Sequence, residues 1–328
     1  MLKFRTEYKI SKGKWMLDPK QPVILLGSCF TDYIGTRMRS CRWRAYPNIC
    51  GTLFNPASIA KILRIAASGD SFSDTISESV AHNDKLWVTW LSDSQCSAYD
   101  KTDTISAIHH KLSTLQQRLN DTATIIITFG TAWVYQLRNR EEYIVANCHK
   151  FPADYFIRRR LTIQEIADQW RVLIEYIHQK FPKLRFIFTV SPVRHLKDGF
   201  EGNSRSKAIL QLACEEICHD CQIADYFPAF EIVNDDLRDY RFYETDLVHP
   251  SSQAIEYIWE KFKDQYLSDE SKSILDEGEK VTKRLQHRPI ISHGKISSEY
   301  PESIERRKSL DLYHTFMSKY PDMLPIEE

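Results

Sequence analysis

Apolar runs recur along this chain at Val23–Leu26, Ala123–Phe129 and Leu184–Val190, and segments of helical period separate them. The runs are near-continuous stretches of Val, Ile, Leu and Phe, the pattern of strands buried on both faces. Such strands need helices above and below, and parallel neighbours joined by helical crossovers supply them. The pattern predicts an α/β protein on an open, mostly parallel sheet, with three layers α/β/α. Strand 23–26 leads to a helix ending near Arg39, an extended piece at Trp43–Tyr46 and a helix from about Ala57. A helix at Ile105–Leu119 precedes strand 123–129, and Thr162–Lys180 precedes strand 184–190. Ser204–His219 precedes a last short strand at Gln222–Tyr226, and a final helix runs from about Gln253 to Leu267. Trp133–Val145 alternates and predicts a hairpin turning near Arg138–Arg140.

Two segments depart from this rhythm. Residues 68–104 are polar and irregular apart from a short strand at Leu86–Trp90, and are expected as an insertion that could close over a site as a lid. From residue 269 to 328 a charged helix (Ser271–Arg288), an extended stretch (Pro289–Pro301) and a further helix (Ile304–Lys319) hold too few apolar residues for a core of their own. The expectation is one α/β domain over 1–268, with a helical extension over 269–328 that packs on it or serves as a homo-oligomer contact. Lysine plus arginine and aspartate plus glutamate both number 44, so no charge excess points to nucleic acid. The charged first residues do not read as a signal peptide, and no window approaches the ~20 apolar residues of a membrane span. A soluble, cytoplasmic protein without a membrane partner is expected.

Eight scattered cysteines then read as reduced thiols. Cys214, Cys218 and Cys221, near His219, share a helix face with Leu210 and Ile217 and read as core packing, not a zinc site. No metal or nucleotide fingerprint is present, and no cofactor is expected.

In an open parallel sheet, ligands bind beyond the carboxyl ends of the strands. The first strand ends in Gly27-Ser28, and a helix follows at once through Phe30, Ile34 and Met38. A serine at that corner lies beside the free N–H groups of a helix start. It can serve as a nucleophile there, or simply cap the helix. The later strand ends yield Gly130-Thr131-Ala132-Trp133 and Ser191-Pro192-Val193-Arg194-His195. Near the end of the domain, Asp246 and His249 are separated only by Leu247 and Val248. A turn lets the carboxylate reach the imidazole Nδ1 and leaves Nε2 free to take a proton. The other reading is an aspartate capping the helix after Pro250.

Gly27-Ser28-Cys29-Phe30-Thr31 resembles the signature that names the GSCFA-domain proteins, a branch of the SGNH/GDSL hydrolase superfamily. Gly130–Tyr135, Val145–Lys150, Ser191–His195, Asp239–Tyr243 and Asp246–Pro250 are similar to further stretches of that family, in the same order and over roughly residues 20–265. The resemblance implies a three-layer, flavodoxin-like hydrolase fold and ester cleavage or acyl transfer, with Ser28 as nucleophile and Asp246–His249 completing a triad. It places Gly51, with the Ser28 N–H, as an oxyanion donor. The superfamily's third-block Asn has no counterpart in Gly130-Thr131-Ala132-Trp133. A third donor must come from elsewhere, and Thr131, Asn147 and His195 are the candidates.

Around this set, Arg194 and His195 either bind an anionic substrate group or form structural contacts. His82 belongs to the insertion, as a lid residue or an exposed loop histidine. Cys148 and His149 are adjacent and diverge on extended backbone, which disfavours a catalytic pair. Cys29 is expected to pack under the first helix, Asn55 to cap the second, and Arg238, Asp239 and Arg241 to brace the loop presenting Asp246. The expected activity is hydrolysis of a small ester or an acylated carbohydrate, with Trp87, Trp90 and Trp133 as sugar-facing candidates. A sugar O-acyltransferase and a non-catalytic carbohydrate- or acyl-binding module are the alternatives.

Overall fold

The computed structural model describes residues 5–69, 72–286 and 302–326. Strand β1 (Val23–Gly27) runs into helix α1 (Cys29–Ser40), β2 (Ala45–Pro47) and α2 (Pro56–Ser68). The insertion follows as α3 (Ser73–Ser79) and a small hairpin, β3 (Val80–His82) and β4 (Trp87–Thr89). After α4 (Lys101–Asp121) come β5 (Thr124–Phe129), β6 (Trp133–Leu137), β7 (Arg140–Val145) and β8 (Phe156–Arg160). The chain continues through α5 (Ile163–Lys180), β9 (Arg185–Val190), α6 (Gly199–Asp220) and β10 (Ala224–Tyr226). A short α7 (Ala229–Glu231) enters a π-helical turn, and α8 (Ser252–Tyr266), α9 (Asp269–Gln286) and α10 (Glu302–Lys319) complete the molecule.

Five strands form one parallel sheet in the order β10-β9-β5-β1-β2. The chain moves outward from β1 to β2 and then returns to the other side of β1 through β5. The order therefore reverses between β1 and β5, where a crevice opens at the carboxyl edge. Alternation along β1 sets the layers. Ile24 and Leu26 enter a core shared with α2, α4, α5 and α6, while Val23 and Leu25 face α1, α8 and α9. Local chemistry fixes the helix starts. Asn55 caps α2 ahead of Pro56, and Thr162 with Glu165 forms a reciprocal capping box on α5.

The sheet, its strand sequence and the β6–β7 hairpin follow the sequence pattern. Helix α3 does not, because its only large apolar residue is Ile76 and a seven-residue polar segment shows no period. Strand β8 is hidden by Arg158, Arg159 and Arg160, yet it pairs antiparallel with β6 to make a second, three-stranded sheet. In the extension, α9 lies so close to the end of α1 that a Cβ at Gly278 would collide with the Cys41 carbonyl. Ile274, Leu275, Val281, Phe316 and Met323 are buried in the same core as Phe30, Met38 and Trp43. The stretch Pro289–Pro301 lies outside the described residues. Among the described residues, no helix is long and apolar enough to cross a membrane.

Candidate active site

The corner after β1 is built for close approach. Gly27 has φ +148°, and a Cβ there would run into the Thr128 carbonyl of β5. Asn48, itself at φ +43°, straps the corner from the β2 side. Its Oδ1 accepts the Gly27 N–H at 2.9 Å and its Nδ2 donates to Asp32 at 2.9 Å. Ser28 is the N-cap residue of α1, yet its side chain makes no capping hydrogen bond. Its Oγ is buried and has no partner among the described residues. The cap reading is therefore not what the hydroxyl does.

Asp246 and His249 sit on a loop closed by an antiparallel bridge between Tyr243 and Pro250, with Leu247 in the left-handed region at φ +57°. That turn brings the Asp246 carboxylate onto three donors. Oδ1 accepts the N–H groups of Val248 (2.9 Å) and His249 (3.0 Å), and Oδ2 meets His249 Nδ1 at 2.6 Å. The backbone N–H and ring of His249, with the Val248 N–H, hold the carboxylic acid down at about 2. An acceptor at Nδ1 fixes the tautomer whose Nε2 is free to accept a proton. His249 Nε2 and Ser28 Oγ are not hydrogen-bonded to each other in this structure.

A cavity of about 530 Å³ opens at this edge, and His249, Cys29, Asn55, Thr131, Asn147 and His195 are among the residues lining it. Ser28 is not among the lining residues, and its Oγ is buried. A Cβ at Gly130 would come within 3.2 Å of Ser28 Cβ and 3.4 Å of Phe54 Cα. Cys29 packs against the core of Phe30, Ile34 and Met38, as expected, and also lines the cavity; burial, with Asp32 nearby, pushes its thiol pKa up. His195 has its Nε2 buried without a partner. Burial, reinforced by nearby Lys207 and His249, lowers its pKa to about 4, so the ring is neutral at neutral pH.

Arg194 lines the cavity with its guanidinium over the rings of Tyr243 (4.4 Å) and Tyr240 (5.3 Å), so it braces the loop that carries Asp246. That bracing was expected of Arg238, Asp239 and Arg241. Of these, Asp239 caps the short turn at Tyr240–Phe242, and Arg241 is exposed. The far wall carries Trp133 under Arg158, which pairs with Asp198, and Lys197 bonded to the Tyr135 hydroxyl at 2.9 Å.

Several expected placements do not hold. Gly51 is at φ +85° with its N–H donated to the Asn48 carbonyl at 2.7 Å, and its missing Cβ faces the Asp93 carboxylate. It therefore cannot offer that N–H to an oxyanion in this conformation. The Thr131 N–H is committed too, and its hydroxyl is held in a hydrogen-bonded pair. Its N–H binds the Phe54 carbonyl, and its hydroxyl lies 3.1 Å from Ser206 Oγ while accepting the Trp133 N–H. His82 lies at the β3–β4 hairpin against Trp87, and no described residue of the insertion lines the cavity. The insertion instead packs through Trp90 against Phe151 and Phe156, which props the second sheet.

Asn147 does reach the cavity, where its Oδ1 accepts the His149 N–H at 2.7 Å. Cys148 also faces the cavity while His149 turns away to the Thr89 carbonyl, so the two diverge as expected. Cys214 is buried in the core with Cys218 and Cys221 packed against it, and His219 is exposed beside Asp220. Among the described residues, no group of three or more His, Cys, Asp or Glu is placed to hold a metal ion.

Two residues of this edge escaped the sequence reading. Asn48 is signalled by Pro47-Asn48-Ile49-Cys50-Gly51, a turn-forming stretch in which Asn tolerates left-handed backbone. Lys207 gives no signal, since a lysine within a helical pattern reads as surface. It is wholly buried, and its Nζ donates to the carbonyls of Gly130 (2.6 Å) and Ser191 (2.7 Å). Burial lowers its pKa to about 7. It thereby ties the ends of β5 and β9 together beneath the site.

Against known proteins, a family model described as the GSCFA family matches residues 22–262. No curated protein matches the chain. Among solved structures, it is similar to a Streptococcus pneumonia protein provisionally described as a platelet activating factor. The identity is 11% and the TM-score 0.38, over 74% of this chain and 83% of that one.

Proposed function

This chain belongs to the GSCFA family, and from that premise we propose that it is a serine hydrolase of ester bonds working by the SGNH/GDSL scheme. Ser28 is the nucleophile, His249 the general base and Asp246 the group that orients His249. The observation that carries this reading is the Ser28 hydroxyl. It stands at a helix N-terminus, at the crevice where the strand order reverses, and is committed neither to capping nor to any other hydrogen bond. Buried hydroxyls are normally paired; Thr31, Thr122 and Thr189 also have unpaired buried hydroxyls, so it is the place of Ser28 at the crevice that supports the reading. The Asp246–His249 pair supports the base assignment, because Asp246 occupies Nδ1 and His249 lines the adjacent cavity.

In the reaction, His249 Nε2 takes the Ser28 proton as Oγ attacks the ester carbonyl. Asp246 stabilises the imidazolium that forms, and the proton then passes to the departing alkoxide. Water attacks the acyl-enzyme in the second half, again with His249 as base. The Ser28–His249 hydrogen bond must form as substrate enters, a tightening common in serine hydrolases. A small ester or an acylated carbohydrate is the proposed substrate. A cytoplasmic location belongs to the same reading.

A serine-directed fluorophosphonate should label Ser28, and Ser28→Ala should abolish both labelling and hydrolysis of short p-nitrophenyl esters. Wild-type protein that is folded, unlabelled and inactive overturns the assignment. The unmade Ser28–His249 bond and the engaged Gly51 N–H favour one second reading, a binding module for acylated sugars. That reading predicts ligand binding that survives Ser28→Ala, without turnover. Transfer to a sugar hydroxyl in place of water would appear as an acylated sugar when an acyl donor and acceptor are supplied together.

A further inference from the structure

Attack on a carbonyl leaves negative charge on its oxygen, and that oxygen needs fixed donors. At this edge most backbone donors are already engaged. The Ser28 N–H, expected as an oxyanion donor, goes instead to the Thr128 carbonyl at 3.3 Å, the Gly51 N–H goes to Asn48, and the Gly130 and Thr131 N–H groups both go to the Phe54 carbonyl at 2.8 and 2.9 Å. The N–H groups of Cys29 and Phe30, in the first turn of α1, are turned toward the Cys29 sulfur. Among the side-chain nitrogens that line the cavity, that of Asn55 stands next in sequence to Phe54, whose carbonyl takes the Gly130 and Thr131 N–H groups.

Asn55 is 5% exposed and lines the cavity. Its Oδ1 accepts the Ser58 N–H at 2.8 Å as the cap of α2, an acceptor role that identifies which end of the amide is oxygen. The carboxamide is planar and its two ends diverge. Fixing Oδ1 on the helix therefore fixes Nδ2 on the opposite side, where it makes no hydrogen bond within the described residues. The preceding residue is held just as firmly. Phe54 Cα and Ser28 Cβ both lie beside the missing Cβ of Gly130, and the Phe54 carbonyl takes two N–H groups from the end of β5. Asn55 is thus carried on rigid backbone next to the nucleophile's own backbone, with one free donor.

We propose that Asn55 Nδ2 is an oxyanion donor of this enzyme; this rests on the serine-hydrolase reading above. The cap and the donor are the two ends of one amide, so the helix cap orients a catalytic residue.

The two roles separate by substitution. Asn55→Ser and Asn55→Asp keep an oxygen that can accept the Ser58 N–H, and both delete the amide donor. Asn55→Ala deletes both functions. For p-nitrophenyl ester hydrolysis, kcat of Asn55→Ser should fall by about a hundredfold or more with little change in KM. Its melting temperature should stay near that of wild type. Asn55→Asp should be slower still, since a carboxylate faces the oxyanion, and only Asn55→Ala should melt markedly lower. Wild-type kcat in Asn55→Ser, alongside an inactive Ser28→Ala, overturns the Asn55 assignment and leaves the Ser28 reading standing. No turnover and no fluorophosphonate labelling in wild type overturns both.

Discussion

The most telling residues are those whose hydrogen bonding leaves something over. Ser28 has an unused hydroxyl where a cap would have consumed it, and His249 keeps Nε2 free because Asp246 occupies Nδ1. Asp246→Asn tests the second half of that statement. An asparagine presents either an oxygen or an amine to the ring and no longer enforces the tautomer, so kcat should fall on the order of a thousandfold or more with the fold intact. Since three donors hold Asp246 at about 2, it stays ionised above about pH 4, and any acid limb of the rate profile above that pH belongs to another group. Cys29→Ser separates the neighbouring thiol. With its pKa raised, the thiol is a poor thiolate source, and fluorophosphonate labelling of the variant should still map to Ser28.

At the scale of elements, the site depends on how closely β1, β5 and β9 end together. Gly27→Ala would drive a Cβ into the Thr128 carbonyl at a positive φ, and should cost upwards of about 3 kcal/mol in chemical denaturation. Lys207 fastens the ends of β5 and β9. Its pKa falls to about 7 in the fold from an ordinary lysine value of 10.5, so between those limits the unfolded chain binds more protons than the native one. Its contribution to stability is therefore least favourable below about pH 7 and improves as pH rises toward 10.5. The difference in melting temperature between wild type and Lys207→Met, followed across pH 6.5–10, should move in favour of wild type as pH rises. A flat difference would mean the amine is not desolvated as its burial implies.

For the molecule as a whole, the extension is part of the main core. Ile274, Leu275, Val281, Phe316 and Met323 are buried there, and full burial of such side chains stabilises by roughly 1.5–3 kcal/mol each. Together that rivals the ~5–15 kcal/mol net stability of an ordinary domain. Ending the chain at residue 268 should therefore give a protein that aggregates or melts far lower, as scanning calorimetry would register. A truncated chain with unchanged stability would make residues 269–328 a separable appendage. The sequence leaves packing and an oligomer contact both open, because counting apolar residues cannot reveal that a few of them sit in the same core as Phe30 and Trp43.

What the sequence determined by itself is the layered fold and the chemical characters at its edge. Buried strands write themselves as apolar runs, and Ser28, Asp246 and His249 stand where short-range spacing controls geometry. Tertiary structure decided which donors and hydroxyls remain uncommitted. The Gly51 N–H is lost to a turn, Thr131 to Ser206, and His82 to a hairpin away from the cavity, while Asn55 and Lys207 gain roles that their neighbours in sequence do not signal. A hydrogen bond is made or left free by whichever group the fold brings within about 3 Å. Those partners lie 75 residues away for Thr131 and 77 for Lys207, a separation that no local pattern encodes.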